Sequence, residues 1–151
     1  MPQSLAQIYV HLVFSTKHRY PFLTDIKLRD SMHAYLATVC TTLKSPSLRV
    51  GGVADHAHLL VSFGRVGSVA ELIRELKRSS SKWIKTQSKD MSKFEWQLGY
   101  GAFSVSPSHV NLLIEYIKNQ ELHHRKTTFQ EEFRKLLKKY SVQYDERYVW
   151  D

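Results

Sequence analysis

"VADHAHLLVSF" (residues 53–63) sets two histidines one residue apart inside an otherwise apolar run. In an extended strand successive side chains point to opposite faces. Ala57, Leu59, Val61 and Phe63 then share a face suited to packing under helices, while His56 and His58 share the other. Same-face neighbours lie roughly 7 Å apart at the backbone, near enough for two imidazoles to converge on one ion. A His-x-His pair is equally what the half-exposed polar face of a strand looks like, so the surrounding elements have to decide between the two.

Upstream, "IYVHLVFS" (8–15) alternates as a first strand, with Ile8, Val10, Leu12 and Phe14 on one face and Tyr9, His11, Val13 and Ser15 on the other. His11 is thereby a further member of the histidine face or a partner to it. From Thr24, read as an N-cap, Leu28, Met32, Leu36, Val39 and Leu43 recur at helical spacing until "KSPS", where Pro46 stops the pattern. "LRVGGV" (48–53) and "AHLLVSF" (57–63) form two strands joined tightly near "ADH", and Gly51-Gly52 predicts a bulge or bend. Ser68 and Glu71 make a capping box that opens a second helix, striped by Leu72, Leu76, Trp83 and Ile84. "WQLGYGAFSV" (96–105) reads as a fourth strand.

Ser106 as N-cap and Pro107 at the first helical position open a third helix through "VNLLIEYIKNQELHH" (110–124). A last capping box, Thr128 with Glu131, starts a short amphipathic helix carrying Phe129, Phe133, Leu136, Leu137 and Tyr140, before the tail "YDERYVWD" (144–151). The order β, α, β, β, α, β followed by helices is the ferredoxin-like, or RRM-like, pattern of an α+β protein. It predicts an antiparallel sheet with helices on one face and the other face left available, plus an additional C-terminal helix bearing a tyrosine. The whole of residues 1–151 reads as one domain, with 128–151 its C-terminal helix and tail.

Twenty-two Lys and Arg against 14 Asp and Glu give a formal charge of +8, which favours polyanionic partners. Candidate contacts are Lys17 and Arg19, with His18 and Tyr20 beside them, and the basic helix positions Arg74, Lys77, Arg78, Lys82 and Lys85, to which Ser79 to Ser81 add hydroxyls. No run approaches the roughly 20 apolar residues of a membrane span, and "MPQSLAQIYV" has no signal-peptide character, so no membrane partner and a cytoplasmic location are expected. The one cysteine, Cys40, falls within an apolar helical pattern and reads as a buried thiol.

The third helix adds Tyr116 and Gln120, at i and i+4 and so on one face. A tyrosine can act as a nucleophile and an amide oxygen can complete a metal site. Without the histidines, Tyr116 would be a core aromatic among Leu112, Leu113 and Ile117.

Taken together, "DHAHLLV", "IYVHLVFSTKHRYPFL", "GSVAELIRELKRSSSKW", "GYGAFSVS" and "VNLLIEYIKNQELHH" resemble the single-tyrosine transposases of the HUH superfamily, specifically the small insertion-sequence transposases of TnpA type and the related repeat-associated enzymes. The resemblance runs over nearly the whole chain. It implies that His56 and His58 bind a divalent cation, Mg²⁺ or Mn²⁺, that Gln120 supplies a third ligand, and that Tyr116 is the nucleophile forming a 5′-phosphotyrosine. It further implies single-stranded DNA with hairpin ends as substrate, a homodimer, and a prokaryotic, nucleoid-associated setting. Asp55 completes the "D-H-U-H" appearance without an assigned role. No "GxxxxGK[ST]" stretch occurs, consistent with strand joining that needs no ATP. Three other readings stay open: a noncatalytic RRM-like nucleic-acid-binding module, a zinc hydrolase using the same histidines, and a domesticated HUH nuclease that cleaves without mobilising DNA.

Overall fold

A computed structural model describes residues 2–151. Its elements in chain order are β1 (Tyr9–Ser15), α1 (Ile26–Thr42), β2 (Ser47–Val53), β3 (His56–Ser62), α2 (Val69–Ile84), β4 (Gly101–Val105), α3 (Val110–Lys118), α4 (Gln120–His123) and α5 (Phe129–Lys139). The strands pair antiparallel in the order β2-β3-β1-β4. This is the α+β, ferredoxin-like arrangement expected from the alternation of strands and helices.

Register fixes the two faces. β1 and β3 pair with Val13 opposite His58 and Ser15 opposite His56, so the histidine face of β3 continues into the His11 and Val13 face of β1. On the other face Val10, Leu12, Phe14, Ala57, Leu59 and Val61 bury against Met32, Leu36 and Cys40 of α1 and Leu72, Ile73 and Leu76 of α2. The Cys40 thiol is buried as expected, and burial pushes its pKa up to about 12.

The histidine face is not left available. Val13 and Phe103 form a second apolar cluster with Phe129, Phe133 and Leu137 of α5, and Ile117 of α3 is buried over β2. Under this layer His11, His56 and His58 are buried. Two glycines admit it. A side chain at Gly51 of β2 would lie 2.8 Å from both the Cγ2 and the carbonyl oxygen of Ile117, and one at Gly101 of β4 would lie 2.6 Å from the Phe133 ring. The expectation of a bulge or bend at Gly51-Gly52 is thus replaced at Gly51 by close approach of a helix, while the register irregularity of β2 falls between Ser47 and Arg49.

Local chemistry moves several expected boundaries. Asp25, not Thr24, caps α1, its carboxylate accepting from the Lys27 and Leu28 amides, while the Thr24 hydroxyl donates to the Pro21 carbonyl. The fourth strand begins at Gly101 rather than Trp96, because Trp96 turns into the first core and donates its indole N–H to Ser80 Oγ at 2.9 Å. Residues 106–124 are not one helix. A single 3₁₀ turn at Pro107–His109 precedes α3, and Asn119 (φ −96°, ψ 20°) breaks α3 from α4. Ser106 does not cap through a backbone amide; its hydroxyl meets the side chains of Ser108 and His109.

Adding one methyl group at Gly51 should act as overpacking. Gly51→Ala is expected to lower stability by about 1–3 kcal/mol, read from thermal unfolding, because backbone as well as side chain must shift. His33 on α1 gives a second expectation. Burial pushes its imidazole down to about 4, against an opposing pull from Asp30, and its Nε2 has no hydrogen-bond partner. The folded value lies below the roughly 6.5 of an unfolded histidine, so stability is fully present above about pH 6.5 and falls as pH drops toward 4. In His33→Leu, urea midpoints measured from pH 7 to 4 should show a dependence shallower by about one proton, a limiting slope of roughly 1.4 kcal/mol per pH unit.

Candidate active site

Strand β3 projects His56 and His58 into the layer between sheet and C-terminal helices, their ring centroids 5.1 Å apart. Each imidazole is held from behind. His56 Nδ1–H donates to Asp55 Oδ1 at 2.7 Å, which gives the residue before the motif a definite task. His58 Nδ1 lies 2.8 Å from His11 Nε2, and burial keeps the His11 pKa well below its ordinary value. His11 is therefore a partner to the histidine face, one of the two roles its strand position allowed.

Helix α3 brings Tyr116 over this pair, its ring centroid 5.8 Å from that of His58. The break at Asn119 leaves the i, i+4 relation intact: Gln120 Nε2 sits 3.4 Å from the Tyr116 carbonyl, and Gln120 Oε1 points at His56 Nε2 at 3.2 Å. All of these residues belong to one chain. The four positions singled out in the sequence, His56, His58, Tyr116 and Gln120, thus meet at one place.

Two residues not singled out meet them there. Glu132 of α5 and His124, just after α4, complete a cluster with His56 and His58 in which one ligand atom from each lies within 4.8 Å of the others. Glu132 Oε1 is 3.3 Å from His56 Nε2, 3.0 Å from His58 Nε2 and 3.2 Å from His124 Nε2. Its other oxygen accepts from the Tyr116 hydroxyl and from Gln120 Nε2. His124 Nδ1–H donates to the Thr127 carbonyl at 2.6 Å. Burial alone would raise the Glu132 pKa, but the imidazoles of His124, His56 and His58 that face it overcome this and hold the carboxyl ionised, well below the usual range. Burial lowers His56, yet its bonds to Asp55 and Glu132 prevail and carry it up to about 9, whereas burial keeps His58 lowered. Burial and the Glu132 charge push the Tyr116 phenol up from its ordinary value, so the hydroxyl keeps its proton in this arrangement.

The signal for Glu132 was present. It flanks the apolar stripe of Phe129, Phe133 and Leu136, where a carboxylate needs a partner. Beside it opens a cleft of about 720 Å³, lined by Tyr116, Glu132, His109, Lys135, Lys139 and Tyr140 among others. Lys135 and Lys139 were not among the basic positions picked out by clustering.

Those positions fare unevenly. Lys77 does not offer a free charge: its ammonium, half-buried, donates to the carbonyls of Gln97, Leu98 and Gly99 at 2.8, 3.2 and 2.6 Å and so fastens the loop before β4. Ser79 and Ser80 likewise turn inward, Ser79 donating to the Glu75 carbonyl and Ser80 to that of Lys77. Lys17 pairs with Glu95, Arg78 with Glu75, and Arg19 lies against the Trp150 ring. Arg74, Lys82 and Lys85 are exposed, but α2 packs on the face of the sheet opposite the histidines.

Residues 4–120 match the family model described as "Transposase IS200 like". The chain belongs to this family, and with it to the single-tyrosine transposases of HUH type. No curated protein matches it. Among solved structures, one from Deinococcus radiodurans R1 that carries a provisional transposase assignment aligns with a TM-score of 0.62 at 20% identity, covering 80% of this chain and 95% of that one. A REP-associated tyrosine transposase bound to a REP hairpin aligns with a TM-score of 0.58 at 11% identity, covering 82% of this chain and 73% of that one. At these identities the likeness concerns the fold. His124 and Glu132 lie beyond the matched residues.

The carbonyl anchoring of Lys77 separates it from its exposed neighbours. Lys77→Met is expected to lower stability by about 1.5–3 kcal/mol through loss of hydrogen bonds to a charged group, while Lys82→Ala leaves the thermal midpoint in place; differential scanning calorimetry of both variants checks this.

Proposed function

We propose that this chain cleaves and rejoins single-stranded DNA at the ends of an insertion sequence, with Tyr116 as nucleophile. The observation that carries the reading is the meeting of Tyr116, His56, His58 and Gln120 at one buried point within one chain, in a family of transposases. The donor set fits a divalent cation, since His56 has its second ring nitrogen tied back to Asp55, His58 has His11 behind it, and Gln120 turns its amide oxygen the same way.

His56, His58 and Gln120 would hold Mg²⁺ or Mn²⁺, which supplies polarisation of the scissile phosphate and neutralises charge developing on its oxygens. Tyr116 Oη attacks the phosphorus, the bond from phosphorus to the 3′ oxygen breaks, the phenol proton is lost, and the departing oxygen takes up a proton to become a free 3′-OH. The 5′ side remains as a phosphotyrosyl ester, whose energy is kept for the reverse attack that rejoins the strand. The hydroxyl of Tyr116 is oriented by the bond it donates to Glu132.

The strand would reach Tyr116 through the neighbouring cleft, with Lys135 and Lys139 meeting phosphates and Tyr140 offering a ring to an unpaired base. A hairpin at the element's end, like the one bound by the REP-associated relative, would be gripped by the remaining basic surface, for which Lys17, Arg19, Arg74, Arg78, Lys82 and Lys85 remain candidates. A homodimer is compatible with this scheme but is not needed to complete a site whose residues come from one chain. A noncatalytic RRM-like module is disfavoured because the sheet face that such a module uses to stack bases is covered here by α3 and α5.

Labelled single-stranded DNA from the flanks of the gene, incubated with protein in Mn²⁺ or in EDTA and run on a denaturing gel, tests the reading. A covalent adduct that needs the metal and vanishes in Tyr116→Phe is expected. Cleavage that survives Tyr116→Phe without an adduct would instead make water the nucleophile, and binding without cleavage would return the chain to the noncatalytic class.

A further inference from the structure

Glu132 Oε1 has two lone pairs, but three imidazole nitrogens face it, those of His56, His58 and His124, at 3.0 to 3.3 Å. The consequence falls on His124. Its side chain is 8% exposed, its Nδ1–H is committed to the Thr127 carbonyl, and its Nε2, buried and aimed at the cluster, makes no hydrogen bond. A neutral imidazole with its proton on Nδ1 presents a lone pair at Nε2. His56, whose Nδ1 donates to Asp55, turns its Nε2 the same way, and an ion there would take the place of the proton now shared with Glu132. His58 can be too, with His11 Nε2 accepting from its Nδ1. With the proton of each ring on Nδ1, three lone pairs and one carboxylate oxygen converge on the same point. A single cation among them satisfies all four groups at once.

The spacing suits such an ion. Four donors at roughly 2.0–2.1 Å around a tetrahedral centre stand about 3.3 Å from one another, close to the separations between Glu132 Oε1 and the three nitrogens. The backing groups are also those that metal-binding histidines use, a carboxylate behind one ring and a backbone carbonyl behind another.

We infer that His124 and Glu132 are ligands of the ion, so that the C-terminal segment closes a His₃Glu centre around the two strand histidines rather than merely covering them, with Glu132 in the ligand position given above to Gln120 and the Gln120 amide holding that carboxylate through Nε2. This rests on the reading of His56 and His58 as metal ligands given above. Three imidazoles and one carboxylate favour Mn²⁺, Co²⁺ or Zn²⁺ over Mg²⁺, which prefers oxygen donors and retained water. The metal also becomes a tie between β3 and α5, so loading it stabilises the docking of the C-terminal segment as well as the reaction.

Metal-stripped protein is titrated with Mn²⁺, with Mg²⁺ and with Zn²⁺ by calorimetry, and the Co²⁺-loaded form is followed by its visible d–d absorption, for the wild type, Glu132→Gln, His124→Asn and His56→Asn. Expected are one ion per chain, binding to Mg²⁺ at least tenfold weaker than to Mn²⁺, affinity lower by tenfold or more in both Glu132→Gln and His124→Asn, and displaced Co²⁺ bands in each. Unchanged or tighter binding in both, with binding lost in His56→Asn, overturns the inference while leaving the strand-histidine site standing. A loss confined to one of the two variants removes the other residue from the donor set and overturns the four-ligand centre. Absence of binding in the wild type itself overturns both readings. Circular dichroism of the metal-free variants verifies folding; should His124→Asn unfold, the Co²⁺ spectra of wild type and Glu132→Gln decide.

Discussion

The carboxylate of Glu132, carried by α5, is buried, and a buried charge without partners would cost several kcal/mol. Its partners come from almost everywhere else in the site: His56 and His58 from β3, Tyr116 from α3, Gln120 from α4 and His124 from the turn that follows. Satisfying this one group therefore fixes how the C-terminal segment lies on the sheet. Apolar packing of Phe129, Phe133 and Leu137 holds α5 in place, but apolar contact alone does not choose among nearby registers. The polar network does, because each partner must reach one of two oxygens.

That layer turns an open sheet face into a closed one. A four-stranded antiparallel sheet with two helices beneath it leaves its upper face free for ligands. Here Gly51 and Gly101, on the two edge strands, let α3 and α5 settle close to the sheet. What remains accessible is the cleft beside Tyr116, where charge is supplied by Lys135 and Lys139 of α5 itself. Cationic charge is accordingly divided: the exposed positions of α2 lie across the sheet from the tyrosine, and the two lysines of α5 lie beside it.

Much of the architecture was legible in the sequence because it depends on short-range regularities. Alternation in 8–15 and 53–63 gives the faces of β1 and β3, the capping box of Thr128 with Glu131 begins α5 where it predicts, and Ser68 caps α2 through the Glu71 amide without the reciprocal bond that would complete a box. The departures were decided by competition between local and distant partners. Trp96 left the strand it was assigned to because a buried Ser80 hydroxyl and an aromatic cluster with Phe14 and Phe94 receive it better. Lys77, read as one of the basic helix positions, is instead held by the three carbonyls of the 97–99 loop that surround its ammonium. Neither partner set can be seen at helical or strand spacing.

The order of elements, the pairing of His56 with His58 on one strand face and the shared helix face of Tyr116 and Gln120 are all readable in the amino-acid order, since each follows from a fixed backbone period acting over a few residues. That these two pairs meet, with His11, Asp55, His124 and Glu132 around them, comes from the packing of distant segments. Contacts spanning 47 residues, as from His11 to His58, or 74, as from His58 to Glu132, carry no period. They arise because α3 and α5 cover the second face of the sheet, and α5 brings a charge that has to be met.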